Sequence, residues 1–194
     1  IQITNAILQY SPNECQVFIG NSMPIRDINN YLFNCSRHAS TSNRGASGID
    51  GLTSTAYGWM IGHNRPTLLL IGDLSLMHDW GVLFTLSQTT LPQPLVIVVI
   101  NNGGGGIFSM LPISQEHDVF ESHFATAHTH HFTPILKAMG ISAHTVSTMD
   151  HFHSLYDDLW NRPAVHVIEF LTNRNDNTEL RRTLQQLVQQ GWSQ

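Results

Sequence analysis

Short apolar runs recur along this chain between longer stretches of helical periodicity: CQVFIG at 15–20, PTLLLIG at 66–72, PLVIVVI at 94–100, SAHTV at 142–146 and AVHVIEFL at 164–171. Strands separated by helix-length segments return in the same direction rather than folding back as hairpins. The alternation therefore predicts an α/β domain of three αβα layers on a mostly parallel, Rossmann-like sheet. Helices are expected at 24–33, where Pro24 sits in a tolerant first turn, and at 50–62, 76–89, 134–139 and 150–160. A last helix puts Leu180, Leu184, Leu187 and Val188 on one stripe. A short strand is expected at 36–39, GGGGIFSMLP reads as loop and partial turn, and 113–131 is poorly patterned. With no repeat and no linker, residues 1–194 read as one domain.

The composition permits such a core and narrows its partners. A chain of 194 residues with 41% hydrophobic and 12% charged side chains can bury about 70% of its unfolded surface. Nine Lys plus Arg against a net charge of −5 leave no basic stripe for nucleic acid or an anionic membrane. No apolar run reaches the length of a membrane span. Cys15 and Cys35 form no metal-spaced cluster, and two free thiols in a reduced, cytoplasmic compartment are the simpler reading. The chain opens with IQITNAILQY rather than Met, as a fragment of a longer one would.

In open parallel sheets, ligands sit beyond the carboxyl ends of the strands. Asp73 lies at such an end, and so do Asn101 and Asn102, which four glycines follow. Since consecutive strands are often neighbours, the Asp73 carboxylate and an Asn carboxamide oxygen can converge. With a loop carbonyl they make a hard oxygen set suited to Mg²⁺ or Ca²⁺. The plainer alternative is that Asp73 caps a helix and NNGGGG is only a turn. After the first run, GNSMP at 20–24 opens a helix where Ser22 and backbone N–H groups can meet an anion. Arg26 and Arg44 are well placed to grip carboxylates, or else lie solvated on the surface.

GDLS at 72–75, followed 29 positions after its Asp by the second Asn of NNGGGGIFSMLP, resembles the diphosphate and metal motif of the thiamine-diphosphate-dependent enzymes. Leu74 stands where that motif usually has Gly. With GNSMPIRD, SNRGASGIDG and IFSMLP in the same order, the chain resembles over residues 16–170 the branch of that family serving menaquinone biosynthesis. The resemblance implies the diphosphate-binding, C-terminal domain of a thiamine-diphosphate-binding fold. It also implies two cofactors, thiamine diphosphate and Mg²⁺, with Asp73, Asn102 and the Gly104 carbonyl as metal ligands and Asn101 as fallback. Asn21, Gly72, Leu74 and Ser75 would contact the cofactor, and Ile49 would prop it from below. Ser22, Arg26 and Arg44 would hold the carboxylates of 2-oxoglutarate and isochorismate, and Ile107 and Phe108 would wall the substrate cavity. The implied reaction decarboxylates 2-oxoglutarate and adds the succinyl unit to isochorismate. The implied protein partner is a pyrimidine-binding domain supplied by the other subunit of a homo-oligomer.

In the family that other domain carries an activating Glu, whereas the five Glu here lie outside the matched motifs. The domain alone is therefore expected to be inactive. Two further readings stand beside this one: a binding or scaffold module that kept the fold, and another carboligase of the acetolactate-synthase type. Gly81 stands where Asn is expected after the His78-Asp79 pair. HTHH at 128–131 and HFH at 151–153 are weak zinc candidates without a Cys or an HExxH frame. Structural roles are expected for His78 and Asp79, and packing roles for Trp80, Trp160 and Trp192. Gly51, Ser54, Thr55, Gly58 and Gly62 stripe one helix for a close approach within the core or between subunits.

Overall fold

The computed structural model describes residues 1–31 and 37–192, with side chains to residue 191. Along the chain run α1 (Gln2–Tyr10), β1 (Gln16–Ile19), α2 (Met23–Tyr31), β2 (Ser40–Thr41), α3 (Leu52–His63), β3 (Thr67–Gly72), α4 (Asp73–His78) and α5 (Trp80–Ser87). Then come β4 (Leu95–Asn101), short helical turns between Phe108 and Phe124 that include α6 (His117–Val119), α7 (Thr133–Ala138), β5 (Ser142–Val146), α8 (Met149–Leu159), β6 (Val165–Leu171) and α9 (Arg174–Trp192). Two compact units form: residues 1–101 with 131–171, and residues 102–130 with 172–194.

The first unit holds a six-stranded sheet in the order β2-β1-β3-β4-β6-β5, with every pairing parallel. Alternate residues of the central strands feed two cores. Leu69, Ile71, Ile97 and Val99 pack with Leu52, Ala56 and Met60 of α3, Leu76 of α4, Leu83 of α5 and Leu136 of α7. Leu68, Leu70, Val96 and Val98 pack with Ile7 of α1, Ile25 and Ile28 of α2, and Phe152 and Tyr156 of α8. Helices on both faces and all-parallel strands bear out the expected α/β architecture. Because β1 leads to α2 on one face and β3 leads to α4 on the other, the chain diverges between these neighbours. That divergence opens a crevice at their carboxyl ends.

Several elements differ from expectation. The helix expected at 76–89 starts directly off β3 at Asp73 and is broken into α4 and α5 at Asp79. The break turns the Asp79 carboxylate toward the first turn of α3, where it accepts from Ser54 N at 2.7 Å and Ser54 Oγ at 2.9 Å. α1 had no sequence counterpart. The short strand expected at 36–39 is found at Ser40–Thr41, with Ser36 outside the described residues, as are Cys35 and the last residues of the helix expected at 24–33. On α3, Ser54, Thr55, Gly58 and Gly62 are exposed rather than packed within the unit. On α9, Leu180, Leu187 and Val188 are exposed. Trp80 and Trp160 pack against the two cores, whereas the side chain of Trp192 is outside the description. Burial pushes the Cys15 thiol up to about 12, so it is an inert core group. No helix among the described residues is long and apolar enough to cross a membrane.

Candidate cofactor site at the strand ends

The end of β1 is drawn tightly against β3. A Cβ at Gly20 would stand 2.8 Å from the Leu70 carbonyl oxygen, so the residue there has to be glycine. The next residue, Asn21, is buried and acts as a hub. Its Nδ2 donates to the carbonyls of Asn43 at 2.9 Å and Gly48 at 2.7 Å, while its Oδ1 accepts from Arg44 Nη1 at 2.9 Å. The loop carrying Arg44 and the half-buried Ile49 is thereby pinned to the β1 turn. Ser22 sits in the left-handed region at φ 70°, which costs a residue with a Cβ about 1–3 kcal/mol. Its carbonyl accepts from Arg26 Nη1 at 2.7 Å. Asn21, Ser22, Arg26 and Arg44 are thus gathered at one turn, with both guanidiniums exposed.

β3 and β4 are in register up to Gly72 opposite Ile100. Asp73 and Asn101 therefore step off adjacent parallel strands at the same level, about 5 Å apart in backbone spacing. Asp73 is only 3% exposed, and its Oδ1 accepts from Leu74 N at 2.8 Å. Ser75 is buried and Leu74 half-buried in the same first turn.

Behind this level lies a carboxylate that motif reading did not use. Glu169, in the middle of β6, is fully buried. Its Oε1 accepts from Asn101 Nδ2 at 2.8 Å and Phe132 N at 3.1 Å. Its Oε2 accepts from Thr133 N at 3.1 Å and Thr133 Oγ1 at 2.9 Å. Burial pushes this carboxyl up, but the hydrogen bonds from Asn101, Phe132 and Thr133 outweigh it and hold its pKa below the ordinary glutamate value. A carboxylate only accepts, so the Asn101 nitrogen must face Glu169, which fixes the carboxamide at the end of β4. The signal was visible as one acid inside an apolar strand.

In the second unit, Asn102 opens the glycine loop. Gly104 has φ 141°, and a Cβ there would stand 2.5 Å from the Ala125 carbonyl oxygen, so no side chain fits. Gly105 N donates to Ala125 O at 2.6 Å and His128 N to Gly103 O at 3.2 Å, which ties the loop to the segment after α6. Ile107 and Phe108 follow, both half-buried, and the Phe108 ring meets Phe124 edge-on at 6.2 Å. Arg174, at the start of α9, lies against Gly104 and Gly106 and was not foreseen.

By donor chemistry, the buried Asp73 carboxylate and the carboxamide at the end of β4 in the first unit are hard oxygens of the kind a divalent cation takes, and in the second unit the glycine backbone leaves no space for a side chain. Among the described residues no three His, Cys, Asp or Glu stand together as a metal cluster. His128 and His130 stack on each other at 5.2 Å, and His153 lies edge-on to Tyr10 at 3.9 Å.

Known proteins resemble this chain. The chain is 42% identical over 177 residues to the 2-succinyl-5-enolpyruvyl-6-hydroxy-3-cyclohexene-1-carboxylate synthase of Chlorobium limicola, covering 90% of this chain and 30% of the relative. It is 39% identical over 174 residues to the synthase of the same name from Bacillus pumilus, covering 89% of this chain and 30% of that one. The chain thus spans under a third of the length of either relative. The crystal structure of benzoylformate decarboxylase from Polynucleobacter necessarius superposes with a TM-score of 0.71 at 17% identity, over 89% of this chain and 32% of that chain, which speaks to the fold alone. The family model for the thiamine pyrophosphate enzyme C-terminal TPP binding domain matches residues 16–170, and the chain belongs to that family.

Proposed function

We propose that this chain is the diphosphate- and Mg²⁺-binding part of a thiamine-diphosphate-dependent synthase that decarboxylates 2-oxoglutarate and adds the succinyl unit to isochorismate. The observation that carries the reading is the common level at which Asp73 and Asn101 leave neighbouring parallel strands, in a chain of this family. The names of the relatives supply the class of product, and the family resemblance supplies the two substrates.

Each residue then has a task. Asp73, Asn102 and the Gly104 carbonyl are the ligands of Mg²⁺, with Asn101, whose carboxamide nitrogen donates to Glu169, as the fallback. Gly72, Leu74 and Ser75 offer the first turn of α4 to the diphosphate, Asn21 braces the cofactor side of the β1 turn, and Ile49 props the cofactor. When bound, thiamine diphosphate supplies the electron sink for decarboxylation and carbon–carbon bond formation. Ser22, Arg26 and Arg44 orient the substrate carboxylates, and two exposed guanidiniums on one buried turn suit that bidentate grip. Ile107 and Phe108 exclude water from the reacting centre. Glu169 is committed to Asn101, Phe132 and Thr133, and Glu121 pairs with Arg174. As the family resemblance implies, the acid that activates the cofactor comes from a pyrimidine-binding domain of a partner subunit in a homo-oligomer, and residues 1–194 alone are expected to be inactive.

The full-length protein is expected to consume 2-oxoglutarate only with thiamine diphosphate and Mg²⁺ present, and Asp73→Ala is expected to abolish this. Undiminished turnover in that variant would reject the ligand assignment. Calorimetry on residues 1–194 should show weak or no cofactor binding; micromolar binding would mean that the second domain matters less than proposed.

A further inference from the structure

Arg174 is a cation of the second unit with a side chain only 13% exposed. Its Nη2 donates to Glu121 Oε2, and its guanidinium carbon lies 5.9 Å from the centre of the Phe120 ring. Nη1 stands 3.1 Å from where a Cβ of Gly104 would be, and Cγ stands 3.7 Å from the equivalent point at Gly106. The plane of the side chain thus occupies the space that the glycines leave. The next turns of α9 secure the far end of the same segment, where Arg182 Nη2 donates to Ser109 O at 2.9 Å.

We propose that Arg174 is a positioning residue for the metal: wedged between Gly104 and Phe120 and held by Glu121, it sets the direction of the Gly104 carbonyl. The proposal rests on the reading of Gly104 as a Mg²⁺ ligand. A glycine at φ 141° has wide torsional freedom, and its carbonyl, which already accepts from Gly106 N at 2.9 Å, must keep one direction to complete a regular octahedron. On one side the loop is fixed by Ala125 and His128; on the other, the rigid fork of Arg174 closes it. A lysine supplies the charge but not the flat surface, so Lys at this position does not substitute.

Mg²⁺ demands near-ideal octahedral geometry, whereas Ca²⁺ accepts irregular sites, and this separates positioning from general stability. In the full-length protein with thiamine diphosphate, Mg²⁺ and Ca²⁺ are titrated separately by calorimetry. Arg174→Gln and Arg174→Lys are each expected to weaken Mg²⁺ binding by about tenfold or more, the size usual for residues that orient metal ligands. Ca²⁺ binding should change by less than about threefold, because its site tolerates distortion. Glu121→Gln should move the ratio in the same direction by less. An unchanged ratio, with both ions weakened alike or neither affected, overturns the proposal, and the ratio in Glu121→Gln decides between the two outcomes if neither Arg174 variant folds. Asp73→Ala in the same titration tells the two readings apart. If it binds Mg²⁺ like the parent, the metal assignment fails; if it loses Mg²⁺ while the Arg174 variants keep the parental ratio, only the role of Arg174 fails.

Discussion

The sheet unit and the glycine-loop unit are held together by different physics. In the first, β3 and β4 are buried almost throughout and sandwiched between two apolar cores, so the shape follows from removing Leu, Ile and Val from water. In the second, Leu111, Leu180, Leu187 and Val188 are exposed, and the backbone is fastened by a few polar tethers, namely Ala125 to Gly105, His128 to Gly103, Glu121 to Arg174 and Ser109 to Arg182. The lesson is a division of labour: burial makes a rigid platform of strand ends, while short polar ties shape the glycine loop.

The largest expected effect tests the burial side. Phe152→Ala, at a fully buried site between Tyr156 and Phe170, should cost about 3–5 kcal/mol in chemical denaturation. Next, Glu169→Gln should cost about 1–3 kcal/mol, because it puts an amide where Asn101, Phe132 and Thr133 all require an acceptor. The pH dependence is smaller and comes in two steps. Burial lowers the pKa values of His166 and His144, so their contribution is complete above the ordinary histidine value of 6.5 and is lost as pH falls below it. The depressed Glu169 contributes fully above 4.5 and is lost as pH falls through its lower folded value. Thermal melts taken from pH 7.5 downward should decline first below 6.5 and again below 4.5. Least of all, Leu187→Ser on exposed α9 should change stability by no more than about 0.5 kcal/mol. A cost rivalling that of Phe152→Ala would show the α9 stripe to be covered in solution and would dissolve the contrast between the units.

The same contrast explains what could be read in advance. β3, β4 and β6 fall within one residue of the expected runs, and β5 matches SAHTV residue for residue, because an apolar stretch between breakers is a local property. The helix break at Asp79 escaped notice because its cause, Ser54, lies a whole strand earlier in the chain. α1 carried too weak a pattern in QITNAILQY to stand out from a leading loop. At the candidate site, Asn21, Ser22 and Asp73 were recognisable as residues just past a strand-ending glycine, and Arg26 as a cation in the turn that follows. That Asn21 ties down the Arg44 loop was not, since it depends on contacts with Asn43 and Gly48 more than twenty residues away. Glu169 and Arg174 were missed for a related reason: each acts on a motif from outside it.

Gly104 and Arg174 stand seventy positions apart. On a ribosome that emits residues in order, the platform strands as far as β4 emerge early, yet the loop beyond them waits for a side chain made much later. A polypeptide released before residue 174 would carry every strand through β6 and still lack the side chain that lies against Gly104 and Gly106.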